Sequence, residues 1–307
     1  MNRIAIILLN WNSYEYTSNC IQSLQKCVGE GFDIIVVDNG SQDGSAQKLQ
    51  QKFDHVIFIL NDRNLGFAGG NNRGFELAIE NNYEYVMMLN NDTFFEPNFL
   101  FHLVNYMDFH AEAGAIQSKI FFNDDRTKVW NGGSRYAPFF GWTYSKNYMR
   151  KETDLQKNIH EVDWATGCAL LLRSSVLKEV GLLNENFFMY YEDVDLSFRI
   201  KKAGYKLIFH PDSVVYHIAG MSYKTKKKGR NGYDNSNLHY LNFRNHLWLL
   251  RIWTKWYQWP TALMTYFSYS IAVMIYFSIR FRWKKLAAVC KGIYDGFSKK
   301  DLSWKLN

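Results

Sequence analysis

The chain has 307 residues, which is enough for one large α/β domain and an appendage. Its net charge of +7 is unevenly placed: residues 1–220 carry 20 Lys and Arg against 26 Asp and Glu, whereas residues 221–307 carry 16 against 3. The basic part is also rich in Trp and Tyr, a composition typical of a segment at an anionic membrane surface. It contains no nucleic-acid-binding motif, so nucleic acid is not an expected partner.

The cysteines and the N-terminus indicate the compartment. Cys20, Cys27, Cys168 and Cys290 show neither Cys-x-x-Cys pairing nor zinc spacing, so we expect reduced thiols in a cytosolic protein. The chain begins almost directly with a strand pattern and shows no signal peptide. We therefore expect a location on the cytoplasmic side of the cell membrane, peripheral or re-entrant.

Apolar runs alternate with helical patterns through the first third of the chain. Continuous apolar runs are typical of strands buried on both faces of a parallel sheet. The predicted strands are Ile4 to Leu9, Ile34 to Val37, Val56 to Leu60 and Val86 to Leu89. This alternation predicts an α/β fold with a doubly wound, mostly parallel sheet and right-handed crossovers.

The pattern is less regular after a predicted helix at Pro97 to Met107. A further helix is predicted at Glu192 to Ala203, and the polar, basic residues 221–235 predict a loop. Further strands are predicted at Gly114 to Phe122, Val162 to Arg173, Tyr205 to Phe209 and Ser213 to His217.

Each of the first four predicted strands ends in polar residues. In doubly wound sheets, ligands bind beyond the carboxyl ends of the strands. The fourth strand ends in Asn90-Asn91-Asp92, whose amide and carboxylate oxygens suit Mg²⁺ or Mn²⁺, with phosphates completing the shell. A simple turn is the alternative, because Asn and Asp are good turn residues. Four polar strand ends together favour a nucleotide-diphosphate site.

A glycine-rich run, Gly66-Phe67-Ala68-Gly69-Gly70, opens the third helical pattern. Its spacing differs from the dinucleotide-binding fingerprint. It instead predicts close backbone approach, with helix N-terminal amides near a phosphate or sugar. The next residues, Asn71 and Asn72, either contact the nucleotide or cap the helix.

Several motifs, in this order, resemble the large inverting glycosyltransferase family 2 with a GT-A fold, and its bacterial rhamnosyltransferase-like branch in particular. The resemblance covers roughly residues 3–250, by the same count of elements. The motifs are Asn10-Trp11-Asn12, Asp38-Asn39-Gly40-Ser41, Asn64 to Asn72, Leu89-Asn90-Asn91-Asp92, Thr166-Gly167, Tyr191-Glu192-Asp193-Val194-Asp195, His217 and Arg244-Asn245.

The resemblance implies a role for several of these residues. Asp193 would be the general base, ahead of its neighbour Glu192, and the metal ligands would be Asp92, His217 and Asn90. Asn90 stands where the family usually has the first Asp of Asp-x-Asp, which removes one charge from the metal site. The nucleotide-sugar would contact Asn10, Asn12, Asp38, Asn64, Gly66, Gly70, Asn71, Asn72 and Asn91.

Structural roles are the alternatives at these positions. Acidic residues are common at helix N-termini, where Glu192 and Asp193 are predicted to lie, and a lone histidine such as His217 is often structural. Asp195 and Arg199 have the i,i+4 spacing of a helix ion pair, so we expect a structural role for them.

The 24 positions from Trp256 to Ile279 carry no charge, a length that can cross a bilayer. A polar seam in this segment and the many Lys and Arg that follow it argue against a full crossing. We expect an in-plane or re-entrant helix, followed by an amphipathic one with Leu286, Val289, Ile293 and Phe297 on one stripe. Aromatic helices packed on the catalytic domain, or in an oligomer interface, are the alternative.

The sequence thus predicts a GT-A catalytic domain at 1–235 and a membrane-associating helical region at 236–307. The expected activity is inverting, metal-dependent transfer of L-rhamnose from dTDP-rhamnose to a lipid-linked glycan acceptor during cell-surface polysaccharide synthesis. A UDP-sugar donor and a non-catalytic nucleotide-sugar or glycan-binding membrane module are the alternatives. Nucleotidyl transfer is disfavoured, since it predicts a basic glycine-rich loop where Asn10-Trp11-Asn12 stands.

Overall fold

The computed structural model describes residues 3–27, 31–218 and 236–298. The chain divides into two compact units. The first unit comprises Met1–Arg135, Ser145–Phe188 and Glu192–Ala219. The second unit comprises Tyr136–Tyr144, Met189–Tyr191 and Gly220–Asn307. The loop predicted at 221–235 lies outside the described residues.

The elements follow the predicted alternation of strands and helices. The strands are β1 Ile4–Asn10, β2 Phe32–Asp38, β3 Ile57–Leu60, β4 Tyr85–Leu89, β5 Thr93–Phe95, β6 Ala113–Phe122, β7 Val129–Asn131, β8 Ser134–Ala137, β9 Trp142–Ser145, β10 His160–Glu161, β11 Ala169–Arg173 and β12 Lys206–His217. The helices are α1 Tyr14–Leu24, α2 Ser45–Lys52, α3 Gly66–Glu80, α4 Phe99–Phe109, α5 Ser174–Val180, α6 Glu192–Lys202, α7 Ser236–Trp253, α8 Trp259–Ile279 and α9 Trp283–Ser298.

The main sheet of the first unit has the order β10-β12-β6-β11-β4-β1-β2-β3. β1 pairs in parallel with β2 and β4, β2 with β3, and β6 with β12, while β11 runs antiparallel between β4 and β6. The mostly parallel sheet predicted from the sequence is therefore confirmed. In the register of β1, Asn10 lies opposite Asp38, so polar strand ends meet at one edge of the sheet.

The sheet is covered by helices on both faces, which explains the continuous apolar strands. Ile4, Ile6 and Leu8 of β1 join one buried cluster, whereas Ala5 and Ile7 join the other. Successive side chains of a strand point to opposite faces, so a strand buried on both faces needs apolar residues at every position. In β1, β2 and β4 the polar residues therefore come where the apolar run ends, at the carboxyl end of the strand.

Three predicted strand spans were wrong in detail. Of Val162 to Arg173, only Ala169–Arg173 forms a strand. The backbone N–H groups of Ala165, Thr166 and Gly167 instead donate to side chains, which removes them from strand pairing. The two late strands are the single strand β12, whose register shifts between His210 and Val214.

The second unit has its own core, formed by α7, α8 and α9. Leu286, Val289 and Ile293 of α9 pack against this core, while Phe297 is exposed. A Cβ at Gly292 would lie 2.6 Å from the Tyr240 carbonyl oxygen, so glycine lets α9 approach α7 closely. Three of the four residues predicted to share one stripe of α9 therefore pack within the second unit, and Phe297 does not.

The segment from Trp256 to Ile279 is long and apolar enough to cross a membrane. Of its most apolar stretch of 18 residues, 22% is buried. Met264, Ile271, Ile275 and Ile279 of α8 are each more than half exposed. Length and composition do not distinguish a crossing helix from one that lies in the membrane plane. The described part of the second unit thus leaves a long apolar surface of α8 exposed.

Asn245 of α7 holds the segment that precedes α6. Its Nδ2 donates hydrogen bonds to the carbonyl oxygens of Met189 and Tyr190, both at 2.9 Å. Tyr190 and Tyr191 both have φ 73°, a backbone conformation that bulky residues rarely adopt. The amide of Asn245 therefore fixes a strained part of the second unit.

Candidate active site

A chain of hydrogen bonds links the polar ends of β1, β2 and β4. Asn10 donates through Nδ2 to Asp38 Oδ2 at 2.7 Å. Thr17 of α1 donates to Asn10 Oδ1 and accepts from Asn91 Nδ2, both at 2.7 Å. The structure thus brings together Asn10, Asp38 and Asn91. Thr17 was not predicted, because its position in a helix gave no signal of contact with two strand ends.

Asp38 is buried, and both of its oxygens have protein partners. Oδ1 accepts from the backbone N–H of Ser41 at 2.9 Å, and Oδ2 accepts from Asn10. Asn12 follows β1 with φ 49°, and its backbone N–H donates to Ser41 Oγ at 2.8 Å. These bonds order the loops after β1 and β2 around Ser41. The role of Asp38 and Asn12 toward a nucleoside stays a prediction.

The beginning of α3 is held by an asparagine network. Asn64 Oδ1 accepts from the backbone N–H of Gly66 at 2.8 Å and from Asn39 Nδ2 at 3.0 Å. Asn39 also donates to the Gly66 carbonyl oxygen and accepts from the Leu65 N–H. Asn39 is the centre of this network, although its place in an Asp-Asn-Gly turn gave no reason to expect more than a turn residue.

The asparagines that follow the glycine run are both buried within α3. Asn72 donates to the Leu183 carbonyl oxygen and to Glu185 Oε1, and accepts from the Leu183 N–H. Asn71 donates to the Phe67 carbonyl oxygen one turn earlier. Neither side chain caps the helix, so that interpretation was wrong. Contact with a nucleotide-sugar remains a prediction for both residues.

Gly66 and Gly70 allow α3 to approach its neighbours. A Cβ at Gly70 would lie 2.4 Å from Leu9 Cδ1. Gly66 has φ 78°, and a Cβ there would lie 2.4 Å from the Phe188 carbonyl oxygen. The glycine run is thus required for packing at this edge of the sheet, whether or not it also contacts a ligand.

We expect Gly66→Ala to lower the free energy of unfolding by about 3 kcal/mol, since the methyl group adds a steric clash to the unfavourable φ. Gly44→Ala is the matched control, because Gly44 has φ 75° and a methyl group there would meet no atom within 4 Å. The control should cost about 1 kcal/mol. Urea unfolding measures both values, and equal losses would contradict the assigned clash.

Asp92 and His217 meet at the carboxyl ends of β4 and β12. His217 pairs with Thr93 of β5, which carries its ring to the Asp92 loop. His217 Nε2 lies 3.1 Å from Asp92 Oδ1 and 3.4 Å from Asn90 Nδ2. Trp130 packs edge-on against the His217 ring, with 4.6 Å between the centroids. The three predicted metal ligands therefore lie together.

Burial disfavours the charged form of His217, but Cys168 and Asp92 more than offset this and raise its pKa to about 10. A carboxylate oxygen, an imidazole nitrogen and an amide oxygen form a donor set that Mn²⁺ or Mg²⁺ accepts when phosphates supply further oxygens. The amide oxygen becomes available by turning the Asn90 side chain, since its O and N are similar in shape. The residues present fit the expected cation.

Asp193 lies next to this cluster, in the first turn of α6. Its Oδ2 accepts from the Gly167 N–H at 3.0 Å and its Oδ1 from the Val194 N–H at 2.8 Å. The carbonyl oxygen of the next residue, Cys168, accepts a hydrogen bond from the Asn90 N–H at 2.9 Å. One short segment of chain therefore contacts both Asp193 and the loop that carries Asp92. Burial raises the pKa of Asp193, and the hydrogen bonds from the Gly167 and Val194 N–H groups oppose that shift.

Glu192 has a different environment from Asp193. Among the described residues, its buried Oε2 has no hydrogen-bond partner. Burial, followed by the charge of Asp193, raises the pKa of Glu192 well above its usual value. The protonated form of Glu192 is thus favoured while Asp193 is ionised.

The ion pair predicted between Asp195 and Arg199 is buried, with 3.0 Å between Arg199 Nε and Asp195 Oδ2. Arg199 also donates to the carbonyl oxygens of Val180, the last residue of α5, and of the next two residues, Gly181 and Leu182. Its hydrogen bonds tie α6 to the end of α5. Both side chains are used within the protein, which agrees with the structural role expected from their spacing.

The family model for glycosyl transferase family 2 matches residues 5–181, more than half of the chain. The chain belongs to this glycosyltransferase family. An N-acetylglucosaminyl-diphospho-decaprenol L-rhamnosyltransferase of Mycobacterium tuberculosis is 26% identical over 235 residues, covering 70% of this chain and 75% of the relative. Rhamnosyltransferase WbbL of Escherichia coli is 24% identical over 229 residues, covering 70% and 83%. The rhamnosyltransferase-like branch predicted from the motifs is confirmed.

The structure is similar to that of GalNAc-T7 solved with UDP, GalNAc and Mn²⁺, with a TM-score of 0.66 and 15% identity. The match covers 84% of this chain, whereas the chain spans only 49% of that transferase. At this identity the likeness shows the fold. The GT-A fold of the family 2 glycosyltransferase is therefore confirmed.

Proposed function

We propose that this glycosyltransferase moves L-rhamnose, with inversion, from dTDP-rhamnose to a lipid-linked saccharide acceptor in cell-surface polysaccharide synthesis. The names of the relatives support both the sugar and the acceptor class, since they include rhamnosyltransferases and a lipid diphosphate substrate. Residues 1–235 would form the catalytic domain, and residues 236–307 would associate with the cytoplasmic side of the membrane.

One observation carries the proposal. Asp193 and the loop that carries Asp92 are linked through two consecutive residues: the Gly167 N–H donates to Asp193, and the Cys168 carbonyl oxygen accepts from the Asn90 N–H. Inverting transfer needs a carboxylate beside the acceptor hydroxyl and a cation on the leaving diphosphate, on opposite faces of the sugar. Two such groups separated by a short segment of backbone suit that arrangement.

In the proposed reaction, Asp193 accepts the proton of the acceptor hydroxyl as its oxygen bonds to the anomeric carbon. The bond between that carbon and the diphosphate oxygen breaks at the same time, and the nucleoside diphosphate leaves with the electron pair. Asp92, His217 and Asn90 would hold Mg²⁺ or Mn²⁺, which neutralises charge on the leaving diphosphate when bound. The hydrogen bonds of Asn10, Asp38 and Asn91 order the strand ends where the nucleotide-sugar would bind.

A donor panel tests the proposal. The full chain is incubated with Mn²⁺, a lipid-linked acceptor and either dTDP-rhamnose or a UDP-sugar, and the product linkage is assigned by NMR. Rhamnose transfer with an inverted anomeric centre is the expected result. Transfer from the UDP-sugar alone, or retention of configuration, would overturn the proposed donor or mechanism. Donor binding without turnover would indicate a non-catalytic module.

The exposed apolar surface of α8 is the proposed membrane contact. Ile271 and Ile275 lie one helical turn apart and are 51% and 53% exposed. Arg280 and Lys284 follow them and are exposed, so positive charge lies near the apolar surface. Apolar side chains flanked by basic residues suit a helix lying in the surface of an anionic bilayer.

We expect Ile271→Asp with Ile275→Asp to weaken binding to vesicles of phosphatidylglycerol and phosphatidylcholine about 10-fold or more, because carboxylates oppose both insertion and the anionic surface. Phe109→Asp is the control, since Phe109 is 79% exposed but belongs to the first unit. It should bind as the wild type does. Vesicle co-sedimentation measures the binding, and equal binding by all three proteins would remove α8 from this role.

A further inference from the structure

A second group of metal-ligand side chains lies in the first unit, away from the Asp92–His217 pair. His102 of α4 faces His210 and Asp212 of β12. Each of the three residues offers one ligand atom, and these atoms all lie within 4.8 Å of one another. We propose that His102, His210 and Asp212 form a binding site for a transition-metal ion of the Zn²⁺ class.

The fold brings these residues together through a break in the strand. The register of β12 against β6 shifts between His210 and Val214, and Pro211 lies within the shifted stretch. Proline has no N–H to donate, so it suits a strand position that is not paired. The shift places the Asp212 carboxylate within reach of both histidines, where a regular strand would continue.

Both histidine rings are held in place by neighbouring groups. His102 Nε2 lies 3.0 Å from the side-chain amide of Asn98, the residue that precedes α4. The ring of Tyr106 packs edge-on against that of His210, with 6.0 Å between centroids, and the His102 ring stacks on His210 at 5.6 Å. Neighbours that orient the ligand rings are a regular feature of protein metal sites.

An ion at this cluster could replace the weak hydrogen bond that His210 now makes. His210 Nδ1 accepts the Asp212 backbone N–H at 3.3 Å, a long hydrogen bond. His210 is buried, His102 is half-buried and Asp212 is exposed, so the cluster is open to solvent on one side. Two imidazoles and one carboxylate favour Zn²⁺ over Mg²⁺ or Ca²⁺, which prefer oxygen ligands.

This cluster is distinct from the candidate active site. His210 and His217 lie seven residues apart on β12, a separation of about 20 Å in a strand. His102 and Asp212 make no contribution to the Asp92–His217 pair among the described contacts. An ion here would join α4 to β12, so we infer a stabilising role that is independent of sugar transfer.

Zinc binding by the tag-free full chain tests the inference. The protein is first saturated with Mg²⁺ to occupy oxygen-rich sites, and Zn²⁺ is then titrated against a chromophoric chelator. The matched variants are His102→Gln and Asp212→Asn, which keep the size of each side chain similar. His55→Gln is the control, because His55 is an exposed histidine beside an aspartate elsewhere in the first unit.

We expect the wild type and the control to bind one Zn²⁺ and to unfold at a higher temperature with it. Each matched variant should bind it about 10-fold more weakly or worse, and should lose the thermal shift. Equal affinity in the wild type and His102→Gln would overturn the proposal, as would a wild type that shows no thermal shift. Neither result depends on which sugar is transferred.

Discussion

Asp193→Asn should abolish most transfer, with a loss in kcat of about 10²- to 10⁴-fold, because the amide cannot accept the proton of the acceptor hydroxyl. The amide oxygen can still accept the Gly167 N–H, so the fold of the site and the affinity for the donor should be kept. Initial rates with a lipid-linked acceptor, together with a donor titration, measure the two effects separately.

Glu192→Gln is the matched control for this variant. The pKa of Glu192 is raised well above its usual value, so its side chain is favoured as the neutral acid, which glutamine resembles in shape and charge. Its rate should stay within about 3-fold of the wild type. If Glu192→Gln lost activity and Asp193→Asn did not, the assignment of the base would be reversed.

The raised pKa of Asp193 gives a direction for the pH dependence of the activity. Burial raises the pKa of Asp193, so its carboxylate becomes protonated at a higher pH than an exposed aspartate would. A general base acts only when ionised, and kcat/KM should therefore fall as the pH decreases through that raised pKa. An activity unchanged down to the usual aspartate range would contradict a buried base.

Asp92→Asn should reduce the rate at saturating Mn²⁺ about 100-fold or more, because Asp92 is the one charged oxygen ligand among Asp92, His217 and Asn90. The apparent affinity for Mn²⁺ and for the nucleotide-sugar should fall with it, since the cation links the two. The rate is measured over a series of Mn²⁺ concentrations at a fixed donor concentration, which gives the rate loss and the apparent Mn²⁺ affinity. Donor titrations with and without Mn²⁺ measure the change in affinity for the nucleotide-sugar.

Asn90→Asp provides the opposite change at the same site. It adds a second carboxylate beside Asp92 and restores the Asp-x-Asp pattern that the family usually has. The concentration of Mn²⁺ needed for half-maximal activity should decrease about 10-fold, because cation affinity rises with the number of charged ligands. If the Mn²⁺ concentration for half-maximal activity were the same in the wild type and in both variants, this loop would not hold the cation.

The strands β1, β2 and β4 could be predicted because burial on both faces demands an unbroken apolar run. Each run also ends where the core ends, so the polar residues at Asn10, Asp38 and Asn91 mark the edge of the sheet in the sequence itself. Patterns of this kind depend only on neighbours in sequence, which is why the structure agrees with them.

Other features depend on residues that are far apart in the chain. The span Val162 to Cys168 is apolar enough for a strand, but side chains of Gln117, Asp193 and Ser197 take the N–H groups of residues 165–167. Likewise, α9 has the periodicity of a membrane-surface helix, but its apolar stripe meets α7. Periodicity records that a face is apolar and does not record what covers it.

The amino-acid sequence by itself determined the sheet, the glycines at the start of α3, and the residue types at the site, because local patterning and motif order specify them. Only the tertiary structure decided which side chains meet. It placed His217 3.1 Å from Asp92, joined Asn10 to Asn91 through Thr17, and set His102 beside His210. Such contacts arise from strand order and from the packing of segments that are far apart in the chain, which the pattern of neighbouring residues does not specify.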